Sequence, residues 1–220
     1  MAQEETDLPR RENAEDGITT AADALLGIFR GVDHANMGRI LERWPPPDTN
    51  VDPCDAHDLP VTDWLAEVAE NAPEATAEFI RRLVGISDRF RWRQTYSKED
   101  VSQVFLERYG WTLFISSDGP IKSDHLLAGV LLLGPDVEYP VHAHSAEEFY
   151  VVLSGTASWK IGDAEWQAKP PGSVIHNPPW QPHGVRTDQG QPLLVGVLWD
   201  EQTPVKSQFS GSQPNEEVRT

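Results

Sequence analysis

The sequence has few positive charges, one cysteine and no long apolar run. Lys and Arg together number 18 against 35 Asp and Glu, which gives a formal net charge of -17. Nucleic acids and anionic membranes bind clustered Lys and Arg, so this charge argues against both as partners. The single cysteine, Cys54, excludes an intramolecular disulfide and a cysteine-rich zinc site. Without an apolar run that spans a bilayer or an apolar signal segment near Met1, we expect a cytoplasmic protein.

Composition divides the 220 residues into four segments. Residues 1–18 are acidic and without periodicity, so we expect a disordered arm, and residues 202–220 form a polar tail that we expect to be flexible. Residues 19–109 have apolar residues at helical spacing and are predicted to form a helical N-terminal region. Residues 110–201 consist of short β-type runs separated by Gly, Pro, Asp and Ser. This layout predicts a mainly β protein, with a small antiparallel β-barrel preceded by helices.

The predicted helices carry apolar stripes that require a partner surface. In the first of them Leu25, Leu26 and Phe29 fall on one face, and Thr20 with Asp23 has the form of a capping box that would begin the helix. We expect such stripes to pack against the barrel, or against a second copy of the chain in a homodimer.

One strand of the predicted barrel, YPVHAHSAEEFYVVLSG, carries more ionisable groups than a buried strand normally tolerates. His142 and His144 are two residues apart, and so are Glu148 and Tyr150. Side chains two apart on a strand point the same way, so all four can face one interior if the chain stays roughly extended between them. The same parity places Glu147 on the opposite, solvated or salt-bridged side.

Two imidazoles and a carboxylate on one buried face are explained by a divalent cation. The cation compensates the carboxylate charge and accepts the imidazole lone pairs. His183 follows a turn-rich segment on another strand and can supply a fourth ligand. We therefore predict one bound divalent transition metal ion. These donors accept Zn, Mn, Fe, Co or Ni, so they do not specify which metal it is.

Two motifs resemble those of the cupin family, whose barrel is a double-stranded β-helix. HAHSAEEFYVVLSG fits the first cupin motif, His-x-His, three residues, Glu, six residues, Gly, and PGSVIHNPPWQPH is similar to the second. The second motif departs from the usual form, since Ser173 stands where Asp is common and no Asn follows His183 at the usual spacing. Neither departure removes a predicted ligand.

Within the cupins the chain resembles the dimethylsulfoniopropionate lyases of marine bacteria. The stretches WRQTY, YPVHAHSAEEFYVVLSGTASW, PPGSVIHNPPWQPHGVRT and PLLVGVLW carry this likeness, mostly between Phe90 and Trp199. It implies a carbon–sulfur lyase that splits a small zwitterionic substrate into dimethyl sulfide and acrylate by β-elimination. It also implies that Tyr150 is the general base and that Tyr139 lies in the substrate pocket.

The sulfonium group of such a substrate needs an aromatic or apolar wall. Trp180, Trp199 and Tyr139 are the candidates, whereas Trp111, like the tryptophans at 159 and 166, is interpreted as a core or barrel-edge aromatic. Two alternatives stay open: another metal cupin enzyme, either an Fe(II) dioxygenase or a sugar isomerase, and a cupin that binds a ligand without catalysis.

Overall fold

The computed structural model describes residues 14–187, 190–200 and 208–209. Helices precede the strands along the chain. The α-helices are α1 (Ala14–Arg30), α2 (Met37–Leu41), α3 (Leu65–Glu70), α4 (Glu74–Ile86) and α5 (Gln103–Glu107), with short 3-10 helices at Pro60–Trp64 and Ser87–Arg89. None of the helices within the described residues is long and apolar enough to cross a membrane.

Eleven strands follow within the described residues. They are β1 (Tyr109–Ser116), β2 (Ile121–Lys122), β3 (Leu127–Leu133), β4 (Glu138–Ala143), β5 (Glu147–Ser154), β6 (Ala157–Ile161), β7 (Gln167–Lys169), β8 (Val174–Asn177), β9 (His183–Arg186), β10 (Leu193–Asp200) and β11 (Gln208–Phe209). They form a six-stranded sheet in the order β2-β1-β3-β10-β5-β8 and a five-stranded sheet in the order β11-β4-β9-β6-β7. Apart from the parallel β1–β2 pair, neighbouring strands are antiparallel. This mainly β architecture with N-terminal helices confirms the predicted fold class, although the described strands form two separate sheets and not the closed barrel that the pattern predicted.

The six-stranded sheet is buried on both faces, and β5 shows how. Phe149 and Val151 belong to the hydrophobic cluster that includes the helices, whereas Tyr150 and Val152 belong to a second cluster between the sheets. Alternate side chains of a strand point to opposite faces, so one strand contributes to both clusters. The apolar stripes of α1 and α4 are therefore covered by the sheet's outer face.

The first helix begins earlier than its sequence pattern suggested. It starts at Ala14, inside the expected arm, and the predicted capping residue Thr20 lies within the helix, where its Oγ1 donates to the carbonyl of Gly17 at 3.1 Å. A threonine hydroxyl can donate a hydrogen bond to a backbone carbonyl of the preceding helical turn as readily as it caps a helix. The expected arm up to residue 13 lies outside the described residues.

Two residues of the predicted tail belong to a sheet. Gln208 and Phe209 pair with Ala143 and His142 at the edge of β4, while the rest of the segment from residue 201 onward lies outside the described residues. Phe209 also stacks on Tyr96, with ring centroids 4.7 Å apart. An aromatic side chain that finds a stacking partner explains why this part of a polar tail is held at the sheet.

Candidate metal centre

Four buried side chains on three strands and a loop meet between the two sheets. His142 is on β4, His144 lies in the loop that follows, Glu148 is on β5 and His183 begins β9. Their exposed fractions are 1%, 3%, 0% and 1%. His142 and His183 stand directly opposite each other in the antiparallel β4–β9 pair. The strand pairing alone therefore brings the two distant motifs into contact.

The three histidines form a compact donor set. One ligand atom from each of His142, His144 and His183 can be chosen so that all lie within 4.8 Å of one another, a group that could hold a metal ion. Glu148 adjoins it: its Oε2 lies 3.3 Å from Nε2 of His144 and 3.2 Å from Nε2 of His183. Imidazole nitrogens with a carboxylate suit a divalent transition metal.

The backbone fixes how each imidazole is oriented. Nδ1 of His142 lies 2.7 Å from the carbonyl oxygen of Pro140, and Nδ1 of His183 lies 2.8 Å from that of Gln181. His144 makes the same kind of contact, to Ala146 at 3.2 Å. A carbonyl oxygen only accepts, so each Nδ1 carries the proton and each Nε2 is directed toward the centre of the site.

Electrostatics favour a neutral imidazole and an ionised carboxylate. Burial, reinforced by the nearby His183, lowers the pKa of His142 to about 3. Burial acts in the opposite sense on Glu148, but its contacts with His144 and His183 outweigh burial and hold the pKa of Glu148 well below its usual range. A lone pair on the imidazole and a negative charge on the carboxylate are the states in which both groups bind a cation.

A cavity of about 60 Å³ adjoins the donor set. Its lining side chains are mostly aromatic or aliphatic: Thr95, Tyr109, Trp111, Leu113, Leu127, Val130, Leu131, Tyr139, Glu148, Tyr150, Val197 and Trp199. Among these lining residues Glu148 carries the only charged side chain. The cavity wall is therefore apolar and aromatic with one negative group, beside a set of imidazoles.

Three of the side chains predicted for catalysis or substrate binding line this cavity. Tyr150 is on β5 two residues beyond Glu148, and the ring of Tyr139 stacks on His142 with centroids 4.2 Å apart and planes at 14°. Trp199 lies 4.5 Å from His144 between ring centroids and also donates its Nε1 proton to Oε1 of Glu148. Trp199 therefore both lines the cavity and donates a hydrogen bond to the Glu148 carboxylate.

The structure does not bring Trp180 to the cavity. Its side chain is 54% exposed, and its backbone has a positive φ of 62° in the turn before His183. The backbone N–H of Trp180 donates to the carbonyl of His144 at 2.7 Å, so the turn serves the site through its main chain. The sequence pattern located Trp180 near a ligand but could not give the left-handed turn that leaves its ring exposed.

Three further residues line the cavity without a sequence motif that predicts them there: Thr95, Tyr109 and Trp111. Nε1 of Trp111 donates to Oγ1 of Thr95 at 3.0 Å, and that oxygen lies 3.1 Å from the hydroxyl of Tyr109. Trp111 was interpreted as a barrel-edge aromatic, and it is instead part of the cavity wall. All four tyrosines of the chain belong to the inner cluster, a grouping that the structure shows and that the sequence spacing does not indicate.

Fold and donor set together define a mainly β, two-sheet protein with a candidate three-histidine metal site. A family model described as dimethylsulfoniopropionate lyase matches residues 33–195, so the chain belongs to the dimethylsulfoniopropionate lyase family. The chain is 33% identical over 109 residues to dimethylsulfoniopropionate lyase DddQ of Ruegeria pomeroyi, a match that covers 50% of this chain and 54% of that protein. A relative from Cereibacter sphaeroides is 30% identical over 142 residues, 64% of this chain and 59% of that one. The chain thus spans only a little over half the length of these curated relatives.

Solved structures of the same group have the same fold. A chain from crystal structures of the lyases RdDddP and RnDddQII superposes with a TM-score of 0.79 at 26% identity, over 90% of this chain and 100% of that one. The crystal structure of DddQ from Ruegeria pomeroyi gives a TM-score of 0.69 at 22% identity, over 87% and 99% of the two chains. The architecture shared with these structures therefore includes most of the N-terminal helical region.

Proposed function

We propose that this protein is a metal-dependent lyase that splits dimethylsulfoniopropionate into dimethyl sulfide and acrylate, with Tyr150 as general base. The observation that carries the proposal is an aromatic cavity with one carboxylate, next to three convergent imidazoles. Aromatic faces attract a methylated sulfonium, while a cation held by the imidazoles and Glu148 would attract the carboxylate at the other end of the substrate. Family membership and the named activity of DddQ support the same substrate.

In the proposed reaction Tyr150 removes the proton next to the substrate carboxylate. The Cα–H electron pair becomes the carbon–carbon double bond of acrylate, the Cβ–S bond breaks, and its electron pair leaves on the neutral sulfide. The proton ends on the Tyr150 oxygen and then leaves to solvent. No acid is needed for the leaving group, because dimethyl sulfide departs uncharged.

Tyr150 needs an activating charge. Burial, with the negative charge and hydrogen bond of Glu148, raises the pKa of Tyr150 well above its usual value, which disfavours the phenolate. A divalent cation held by His142, His144, His183 and Glu148 supplies, when bound, positive charge that favours the phenolate and stabilises electron density at the substrate carboxylate. Water exclusion by the surrounding cluster strengthens both effects.

The test is headspace detection of dimethyl sulfide from purified protein, with Zn, Mn, Fe, Co or Ni added separately. We expect gas with at least one of these ions, and its absence with all five would reject the lyase assignment. Tyr150→Phe should retain its metal and lose at least about 100-fold in kcat, the usual contribution of a positioned base. Tyr96→Phe is the matched control, since Tyr96 is buried in the same cluster without lining the cavity.

A further inference from the structure

Two N–H donors hold the Glu148 carboxylate, one on each oxygen. Asn177, fully buried on β8, donates from Nδ2 to Oε2 of Glu148 at 2.9 Å, and Trp199 on β10 donates from Nε1 to Oε1. Both donors stand opposite Glu148 in neighbouring strand pairs, Asn177 on one side and Trp199 on the other. The Glu148 carboxylate thus accepts one hydrogen bond from each of the two strands that flank β5.

The amide of Asn177 can be oriented in only one way. Turning it over would place its carbonyl oxygen against Oε2 of Glu148, and two acceptors repel each other. With Nδ2 toward Glu148, the Oδ1 atom of Asn177 is buried and has no hydrogen-bond partner among the described residues. A buried acceptor without a partner costs free energy that an apolar side chain of similar size would avoid. The hydrogen bond from Nδ2 to Glu148 is therefore the contact that accounts for an asparagine at position 177.

The two oxygens of Glu148 have different surroundings. Oε2, held by Asn177, is also the oxygen that lies 3.3 and 3.2 Å from Nε2 of His144 and His183, so it faces the donor set. Oε1 accepts from Nε1 of Trp199. The indole N–H anchors one end of the carboxylate and the amide sets the other end, which together fix the rotation of the group about its last bond.

We infer that Asn177 and Trp199 are positioning residues that orient Glu148 as a metal ligand. The inference depends on the proposed function only in that the bound group is the same cation; it concerns affinity for the ion and not the cleavage of a substrate. Partners that orient a coordinating residue typically alter metal affinity 10–100-fold when they are lost. Neither residue is expected to contact the ion itself.

The experiment measures the dissociation constants of Zn²⁺ and Co²⁺ by chelator competition, together with the visible absorption spectrum of the Co²⁺-loaded protein. Trp199→Phe removes the N–H but retains a ring next to His144, and Asn177→Leu removes the amide at similar volume. Each should weaken binding by about 10- to 100-fold and change the Co²⁺ spectrum, because the carboxylate loses one of the two N–H donors that orient it. Trp166→Phe is the matched control, since Trp166 lies under the Arg186 guanidinium away from the site, and it should bind as the parent chain does.

Thermal melting in EDTA tests whether each variant is folded without metal. If Asn177→Leu melts far below the parent, Trp199→Phe alone decides the question, because it leaves the buried amide in place. Parent-like dissociation constants and an unchanged Co²⁺ spectrum in the folded variants would overturn the inference. If the parent chain binds the ions but releases no dimethyl sulfide, the lyase assignment is wrong, whereas the positioning roles of Asn177 and Trp199 still stand.

Discussion

Glu147 and Glu148 are adjacent in the chain, yet their carboxylates lie on opposite faces of β5. Glu148 faces the imidazoles, whereas Glu147 faces the helices and accepts from Arg39 at 2.6 Å. Arg39 also holds Asp200 at 2.6 Å, and Asp200 stands opposite Glu147 in the β5–β10 pair. One guanidinium on α2 therefore ties together the ends of the two strands that carry Glu148 and Trp199.

Replacement of Arg39 by Met should loosen this end of the sheet. The variant retains the apolar stem but loses contacts to two carboxylates, of which Asp200 still pairs with Arg43 and Glu147 still accepts from Asn36. We expect a loss of about 1 kcal/mol in unfolding free energy, because the guanidinium is partly exposed and surface ion pairs contribute little. We also expect a several-fold lower affinity for the metal, through Glu148. Urea unfolding and chelator competition measure the two effects.

Arg82→Met is the matched control for this change. Arg82 pairs with Glu78 one turn away on the same helix, 2.8 Å apart, in an exposed pair within α4. It should lower stability less than Arg39→Met and leave metal affinity unchanged. Equal metal affinity in the Arg39 variant and the parent would contradict the role given to this contact.

Strand parity predicted much of the candidate site. Because side chains alternate along β5, the spacing of Glu148 and Tyr150 was sufficient to place both on the inner face and Glu147 on the outer one. The fold class followed from short runs separated by turn residues, and the cupin-like motifs gave the family. These inferences rest on local periodicity, which the sequence carries directly.

Contacts between distant segments could not be predicted in the same way. Thr95 and Tyr109 come to the cavity through the packing of the segment before β1, and Trp180 leaves it because of a left-handed turn. Asn177 reaches Glu148 only through the register of β8 on β5, which no local pattern specifies. Propensity and spacing describe single elements, whereas these positions depend on how elements pair.

The buried tyrosines predict a loss of stability in alkali. Burial raises the pKa values of Tyr109, Tyr139 and Tyr150 above the ordinary value of about 10. Above that pH the unfolded chain releases protons that the folded chain retains, so unfolding becomes more favourable as pH rises. In metal-free protein the unfolding free energy should fall by about 1.4 kcal/mol per pH unit for each such tyrosine. Urea unfolding between pH 8 and 11 gives the slope.

Tyr109→Phe separates this titration from ordinary packing. The variant loses the contact between its hydroxyl and Thr95, which shifts stability at every pH. Its slope above pH 10 should nevertheless be smaller than that of the parent by the contribution of one tyrosine. If the parent's phenolate absorbance at 295 nm rises for all tyrosines with a midpoint near 10 while the protein stays folded, the raised pKa values are wrong.

Metal removal should destabilise the fold. Without an ion, the ionised carboxylate of Glu148 is buried with three imidazoles and lacks the cation that would compensate its charge. A ligand at about 1,000 times its dissociation constant contributes about 4 kcal/mol, which corresponds to a rise in Tm of about 10 °C for a chain of this size. Melting in EDTA, then with each of Zn, Mn, Fe, Co and Ni added back, measures the shift and ranks the ions.

His142→Ala and His125→Ala distinguish site binding from adventitious binding. His142 is one of the three convergent histidines, so its loss should abolish most of the metal-dependent shift. His125 lies in the exposed loop before β3 and should retain the parent's response. An equal response in both variants would show that the added ions stabilise the protein elsewhere.

The pH dependence of turnover tests Tyr150 directly. The proposed base acts as phenolate, so kcat/KM in the metal-loaded enzyme should rise about tenfold per pH unit above neutrality until the pKa of Tyr150 is reached. Because the pKa of His142 lies near 3, that imidazole does not titrate in this range and cannot supply the rise. Tyr139→Phe should retain the rising limb, whereas any residual rate of Tyr150→Phe should be independent of pH. A parent rate that falls steadily from pH 6 upward would contradict a phenolate base, since the active form of such a base becomes more abundant as protons are withdrawn.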